Sequence, residues 1–493
     1  MTDTSPIVRT SAGDVRGSAG GVVRRLLGIP YAAPPVGARR FSPPEAAEPW
    51  EGVRDATAPG PCAPHRIKPF PGLAVTPLVG DGGTRGDDYL TLNIWTPEAG
   101  ERLPVMVFIH GGGFVIGSKD APVHDGATFA RDGVVMVAIN YRLGIEGFLP
   151  IPGAPTNLGL RDMIAALQWV QGNVAAFGGD PGNVTVFGES AGAMATANLI
   201  ASPLAQGLFR RAIVQSGHGS MVREIGVAQR LVRKIAKLLK VEPTVAGFRT
   251  TGYDAGLDAI EKVGGPMKID LRDDQGFEPV FGISRFIPVF GDDVLPDHPL
   301  DALANGVGSD VELLIGSNRE EMSLYFVPTG VRKKMFGLLA RWFVRRSMPR
   351  AKDALRAYGL GTKKAGWAFT EAMHDLVFRW PARAFAAAHK GRKHVYEFDW
   401  RSPACDGELG ACHGIELPFV FDTLATATGP DGLAGEAPPQ ALADRVHKIW
   451  VDFARDGSLP WPEFDAETRQ VYSIERGEAA YEPVMPAAEF LAR

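Results

Sequence analysis

The chain has 493 residues, enough for roughly two or three average domains or for one large α/β unit. Apolar residues make up 45% and charged residues 22%, with a formal net charge of −4, so the composition is that of a globular protein and does not point to nucleic acid as a partner. Three cysteines, Cys62, Cys405 and Cys412, cannot build a disulfide framework and fit a reducing compartment.

The opening residues, Met1-Thr2-Asp3-Thr4-Ser5-Pro6, have neither the basic start nor the apolar core of a secretory signal. No stretch reaches the roughly 18 consecutive apolar residues needed to span a bilayer. The end, Phe490-Leu491-Ala492-Arg493, carries no retention signal. A cytoplasmic protein without a transmembrane segment is the expectation.

Residues 30–88 are rich in Pro and Gly and predict ordered loops over the surface. Apolar, β-branched runs at 105–109, 134–139, 184–187, 212–214, 311–315 and 395–398 predict strands. Between the second and third, residues 158–170 repeat apolar positions at helical spacing and predict a helix covering a sheet face. Strands apolar throughout, alternating with helices, indicate a large, mostly parallel central sheet buried on both sides and flanked by helices. No internal repeat or low-complexity linker interrupts the chain, so one domain over residues 1–493 is expected. Residues 331–357 are a basic decoration, with Arg332, Lys333, Lys334, Arg341, Arg345, Arg346, Arg350, Lys352 and Arg356 among Met335, Phe336, Leu338, Leu339, Trp342 and Phe343. Such a segment reads as an anionic-membrane contact, as a lid, or as a solvated helix packed by one face.

The pentad Gly188-Glu189-Ser190-Ala191-Gly192 stands between the strand at 184–187 and a small-residue stretch at 193–197. Strand, sharp turn and helix form the context of a nucleophile elbow. Its glycines keep neighbours clear of a tight bend, and its helix points N–H groups toward developing negative charge. A serine hydroxyl is a weak nucleophile, so it needs a base, a group that orients the base, and donors for the oxyanion. On such a sheet the order along the chain is serine, acid, histidine. Glu320 and Glu321 follow the run at 311–315 by the loop Gly316-Ser317-Asn318-Arg319, and the residues themselves do not separate the two. His413 follows the last run in the loop Cys412-His413-Gly414. Straight after residues 105–109, His110-Gly111-Gly112-Gly113-Phe114 offers backbone donors that can approach a substrate closely. The other histidines show no metal-ligand spacing, so no metal site is predicted.

With these motifs in hand, the chain resembles the type B carboxylesterases, the α/β-hydrolase family of bacterial esterases, mammalian carboxylesterases and cholinesterases. The match also covers Gly28-Ile29-Pro30-Tyr31-Ala32, Leu92-Asn93-Ile94-Trp95, Asn140-Tyr141-Arg142-Leu143-Gly144, Ala176-Phe177-Gly178-Gly179-Asp180-Pro181, Gln215-Ser216-Gly217 and His413-Gly414-Ile415-Glu416-Leu417-Pro418-Phe419. It implies the α/β-hydrolase fold with loop and helical insertions around the active site, and hydrolysis of a small-molecule carboxylic ester through an acyl-enzyme, without cofactor or metal. It implies Ser190 as nucleophile, His413 as general base and acid, and Glu321 as the residue orienting the imidazole. The N–H groups of Gly112, Gly113 and Ala191 are the implied oxyanion donors. Ser216 corresponds to a serine supporting the triad carboxylate, and Glu189 to an acid that polarises nearby water. Arg142 with Asp162, and Arg40 with Asp87, correspond to buried ion pairs. A carbamate or amide hydrolase with the same triad is the alternative, and a non-catalytic cholinesterase-like binding protein a more distant one.

Two departures from the family pattern bear on function. Tyr89 stands where extracellular members place the disulfide partner of Cys62, in keeping with a cytoplasmic home. Residues 62–88 contain no Trp, so a stacking platform for quaternary ammonium has no candidate there and cholinesterase activity is not expected. A bridge between Cys405 and Cys412 stays open at this level.

Overall fold

Among the residues that the computed structural model describes, 5–265 and 268–491, an 11-stranded sheet organises the chain. The outermost residues at either end, 1–4 and 492–493, lie outside that description. In chain order the strands are β1 (Ser18–Gly20), β2 (Val23–Pro30), β3 (Thr91–Pro97), β4 (Leu103–Ile109), β5 (Val135–Ile139), β6 (Gly179–Glu189), β7 (Arg211–Gln215), β8 (Glu312–Asn318), β9 (Lys393–Phe398), β10 (Gln470–Ser473) and β11 (Glu478–Tyr481). Across the sheet they run β11-β10-β9-β8-β7-β6-β4-β5-β3-β2-β1. From β5 to β10 every neighbouring pair is parallel, and both margins are antiparallel.

β4 shows why the central runs could be read as doubly buried strands. Val105, Val107 and Ile109 join one core cluster with Leu160, Met163 and Leu167 of helix α1 (Leu158–Asn173). Met106 and Phe108 point the other way, into a second cluster with Phe187, Phe421 and Trp450. Alternate side chains of a strand face opposite ways, so a strand between two apolar layers must be apolar at every position. Helix α2 (Ala191–Ile200) is buried all round and sits directly behind the bend after β6, which explains its small, uncharged residues.

The strands at the antiparallel margin were not among the six predicted runs. β2 mixes buried Val23, Leu26 and Ile29 with Arg24 and Arg25, so charges interrupt its apolar pattern. Residues 30–88 are mostly loop, as expected, with a short strand at Val53–Asp55 and a helical turn at Thr76–Val79. They do more than cover the surface, because Phe70, Val75 and Leu78 form part of the cleft described below.

Arg142 and Asp162 form a bidentate, fully buried pair, with Nη2–Oδ1 at 2.6 Å and Nε–Oδ2 at 2.8 Å. Asp162→Ala leaves the guanidinium buried and unpaired, and urea unfolding is expected to record a loss of about 3–5 kcal/mol; a change below about 1 kcal/mol would show that the pair is dispensable. The pair expected between Arg40 and Asp87 does not form. Arg40 is held bidentately by Glu146, at 3.0 and 2.7 Å, while Asp87 stays exposed. Glu146 lies on the buried helical turn Gly144–Phe148, where its charge requires a partner. The three cysteines are free thiols, so Cys405 and Cys412 are not bridged. Among the described residues, no helix is long and apolar enough to cross a membrane.

Candidate active site

Three strand ends converge where the sheet offers its carboxyl edge. The register sets Ile109 beside Gly188, Glu189 beside Gln215, and Gln215 beside Gly316, so the loops after β4, β6 and β8 leave the sheet at one level. Immediately after β6, Ser190 takes φ 56° and ψ −120°, a conformation side-chain-bearing residues rarely adopt. The turn is held by the Ser190 N–H donating to the Gln215 carbonyl at 3.0 Å and by Met194 N–H donating to the Ser190 carbonyl at 2.9 Å. A Cβ at Gly192 would lie 1.9 Å from the Ile109 carbonyl oxygen, so only glycine lets the elbow press against β4.

The loop after β9 brings His413 to this serine. Its Nε2 lies 2.7 Å from Ser190 Oγ, and its Nδ1 lies 2.6 Å from Glu321 Oε2. With Nδ1–H donated to the carboxylate, Nε2 is left as the acceptor for the serine hydroxyl. Glu321 is fully buried, and its other oxygen accepts the Asn318 N–H at 2.7 Å. Glu320, its neighbour, turns away to accept the Ala411 N–H at 3.0 Å and to pair with Arg401. The rings of Phe378 and Tyr325, with centroids 4.7 and 5.6 Å from that of His413, hold the imidazole in place.

Carboxylates crowd the imidazole. Glu189 Oε1 is 3.2 Å from His413 Nε2. Burial alone would pull the imidazole down, but the charges of Glu189 and Glu321 and the Glu321 hydrogen bond outweigh it and raise His413 to about 9. Burial, opposed by His413 and reinforced by Glu416 and Glu321, pushes the Glu189 carboxyl above the usual carboxylate range. Burial and Glu321 likewise raise the Glu416 carboxyl above the usual carboxylate range.

Across the cleft, Gly112 takes φ 100°, and a Cβ there would meet the Ile116 carbonyl oxygen at 2.2 Å. The loop is tied down from beneath. His110 Nδ1–H donates to the Gly111 carbonyl at 2.9 Å, its ring stacks on Tyr141 at 4.5 Å, and Tyr141 donates its hydroxyl to the His110 carbonyl at 2.8 Å. Burial drives His110 down to about 3, so it is neutral at working pH. Ser284 donates its hydroxyl to the Gly113 carbonyl at 2.6 Å. Ala191 opens α2, so its N–H has no carbonyl four residues earlier within the helix. Gly112, Gly113, Ala191 and Ser190 all line one cleft of about 420 Å³, whose remaining walls include Phe70, Val115, Ile116, Met194, Ile283 and Leu324.

Ser216 departs from its expected place. It is fully buried in a left-handed turn (φ 54°), and its N–H donates to the Gly316 carbonyl at 2.9 Å. Its hydroxyl has no hydrogen-bond partner among the described residues, so the structure does not bring it to Glu321. The amide of Asn318, at the end of β8, supports that carboxylate instead.

The Carboxylesterase family model matches residues 4–487 of the chain. The chain belongs to the carboxylesterase family. It is a carboxylic-ester hydrolase with the α/β-hydrolase fold. It is 36% identical over 495 residues to the para-nitrobenzyl esterase of Bacillus subtilis, covering 96% of this chain and 95% of that one. To the phenmedipham hydrolase of Pseudarthrobacter oxydans it is 35% identical over 501 residues, with the same coverage. Among solved structures, a PNB esterase superposes with a TM-score of 0.84 at 33% identity, over 99% of this chain and 100% of that one. A Geobacillus stearothermophilus carboxylesterase gives 0.81 at 33% identity, over 97% of each.

In this carboxylic-ester hydrolase, two residues near the imidazole, Asn318 and Glu416, lie outside the set of expected site residues. Asn318 Nδ2 donates to the Cys412 carbonyl at 2.7 Å and to Glu416 Oε2 at 2.5 Å, tying the loop of His413 to the end of β8. Glu416 is fully buried among these partners. Its signal was its spacing, three residues after His413 in a stretch otherwise apolar.

Proposed function

We propose that the chain hydrolyses small to medium, fairly apolar carboxylic esters through an acyl-enzyme on Ser190. The run of hydrogen bonds from Glu321 to His413 to Ser190, 2.6 and 2.7 Å long, carries this reading. His413 takes the hydroxyl proton as Ser190 Oγ adds to the carbonyl carbon, and Glu321 holds the imidazole in the tautomer that accepts it. The N–H groups of Gly112, Gly113 and Ala191 stabilise the oxyanion of the tetrahedral intermediate. His413 then gives its proton to the leaving alcohol and, in the second half, draws one from the water that releases the acid.

The cleft supports the substrate class. About 420 Å³ bounded mainly by Phe, Val, Ile, Leu and Met side chains fits an apolar acyl group better than a charged one. A p-nitrophenyl ester series tests it: turnover is expected to peak at short to medium acyl chains. A peak at the longest chains, or faster turnover of a matched carbamate or amide than of the ester, would contradict it. One domain spanning residues 1–493 is part of the same reading, supported by a sheet that takes strands from Ser18 to Tyr481. Three free thiols support a cytoplasmic setting.

Glu189 sets the pH range in this account. The base must be neutral to act, so kcat/KM rises with pH through the pKa of His413. The Glu189 carboxylate raises that pKa, so Glu189→Gln is expected to shift the acidic limb down by about one unit. A limb that stays put or moves up would remove Glu189 from this role.

A further inference from the structure

Residues 331–357 carry nine basic side chains and one acidic side chain, Asp353, on a chain whose net charge is −4. Their central helix, α3 (Gly337–Arg345), buries Ala340 and Val344 and sets Phe343 edge-on to Phe369 of helix α4 (Ala365–His374), with centroids 5.6 Å apart. The opposite face of a surface helix is ordinarily polar. Here it presents Leu338 and Trp342, 73% and 44% exposed, followed one turn on by exposed Arg345. Phe336 and Leu339, 58% and 36% exposed, extend the patch.

The cations of residues 331–357 are largely left without counter-charges. Arg332 and Lys333 pair with Glu408, and Arg350 pairs with Glu489. Among the described residues no carboxylate is in ion-pair contact with Lys334, Arg341, Arg345, Arg346, Lys352 or Arg356, and Arg346 lies over the Trp342 ring at 5.6 Å. Protruding Trp, Phe and Leu side chains bordered by unneutralised cations match the two layers of an anionic bilayer surface, apolar acyl chains beneath charged phosphates. We propose that the outward face of α3, with its flanking turns, docks this protein on an anionic phospholipid membrane.

The segment that carries α3 is tied to one wall of the cleft. Just beyond α3, the Ser347 carbonyl accepts the Glu278 N–H at 3.0 Å, and the strap that begins there supplies Val280 and Ile283 to the cleft wall. Apolar esters dissolve in bilayers, so a docked enzyme has its substrate concentrated in the adjoining phase.

Co-sedimentation with vesicles tests the proposal without any turnover, so its outcome is separable from the assignment of Ser190. Wild-type protein is expected to bind equimolar phosphatidylcholine–phosphatidylglycerol vesicles at least about tenfold more tightly than phosphatidylcholine alone, and less tightly as salt is raised. Leu338→Asp/Trp342→Asp and Lys334→Glu/Arg345→Glu/Lys352→Glu replace exposed residues, so each is expected to lose that binding while hydrolysing a water-soluble ester at the wild-type rate. Failure to bind anionic vesicles, equal binding to both kinds, or binding retained in both variants would overturn the proposal. So would a wild-type dimer that Leu338→Asp/Trp342→Asp breaks, since the face would then be covered by a second copy.

Discussion

Replacing Ser190 by Ala is expected to lower kcat for an activated ester by about a million-fold while leaving thermal unfolding in place. No other hydroxyl is in hydrogen-bond contact with His413 Nε2 among the described residues, so no second hydroxyl is placed to give its proton to this imidazole. The substitution also removes a residue held at φ 56°, and alanine tolerates that conformation no better than serine, so the fold should change little in stability. Because nucleophile and base act as a unit, Ser190→Ala/His413→Ala is expected to be no slower than either single variant. A double variant slower than both would mean that His413 works on some other proton acceptor or donor. Steady-state kinetics on a p-nitrophenyl ester, corrected for the spontaneous rate, reads both results.

Glu321→Gln is expected to reduce kcat by about 10⁴-fold, with KM little changed. The amide keeps the shape of the carboxylate, and one of its ends can still accept the Asn318 N–H. Its NH₂ would then face His413 Nδ1, which must become an acceptor. That tautomer carries its proton on Nε2, where the proton of Ser190 has to go. Glu320→Gln makes the matched control. Glu320 binds the Ala411 amide and Arg401 on the far side of the loop, so its neutralisation should leave kcat within about threefold of wild type. Equal losses in the two variants would dissolve the distinction between the adjacent carboxylates.

Much of this arrangement was legible in the chain, for identifiable physical reasons. β4 and β5, and the middle of β7 and β8, are apolar on both faces because apolar layers cover both faces, and a doubly buried stretch has no polar position to disguise it. The elbow and the glycine loop were legible because close backbone approach permits glycine alone, at Gly192 and Gly112 among others. Partnerships were harder. Arg40 had several carboxylates within reach along the sequence, and which one it meets depends on where the turn Gly144–Phe148 packs. Support of Glu321 by a main-chain amide leaves no mark on residue type, so Ser216 was assigned a task that Asn318 N–H performs. For residues 331–357, composition displayed both the charge and the apolar residues, yet only the packing of Ala340 and Val344 shows which apolar side chains face outward.

If Ser190 is the nucleophile, hydrolysis passes through a covalent acyl group on its hydroxyl oxygen. The most direct measurement is mass spectrometry of enzyme quenched during turnover of p-nitrophenyl acetate, with peptide mapping. An acetyl group is expected on the peptide that contains Ser190, formed at the rate of the p-nitrophenol burst and absent from Ser190→Ala. Acetylation at a different residue, or p-nitrophenol release with no acylated protein at any time, would contradict it.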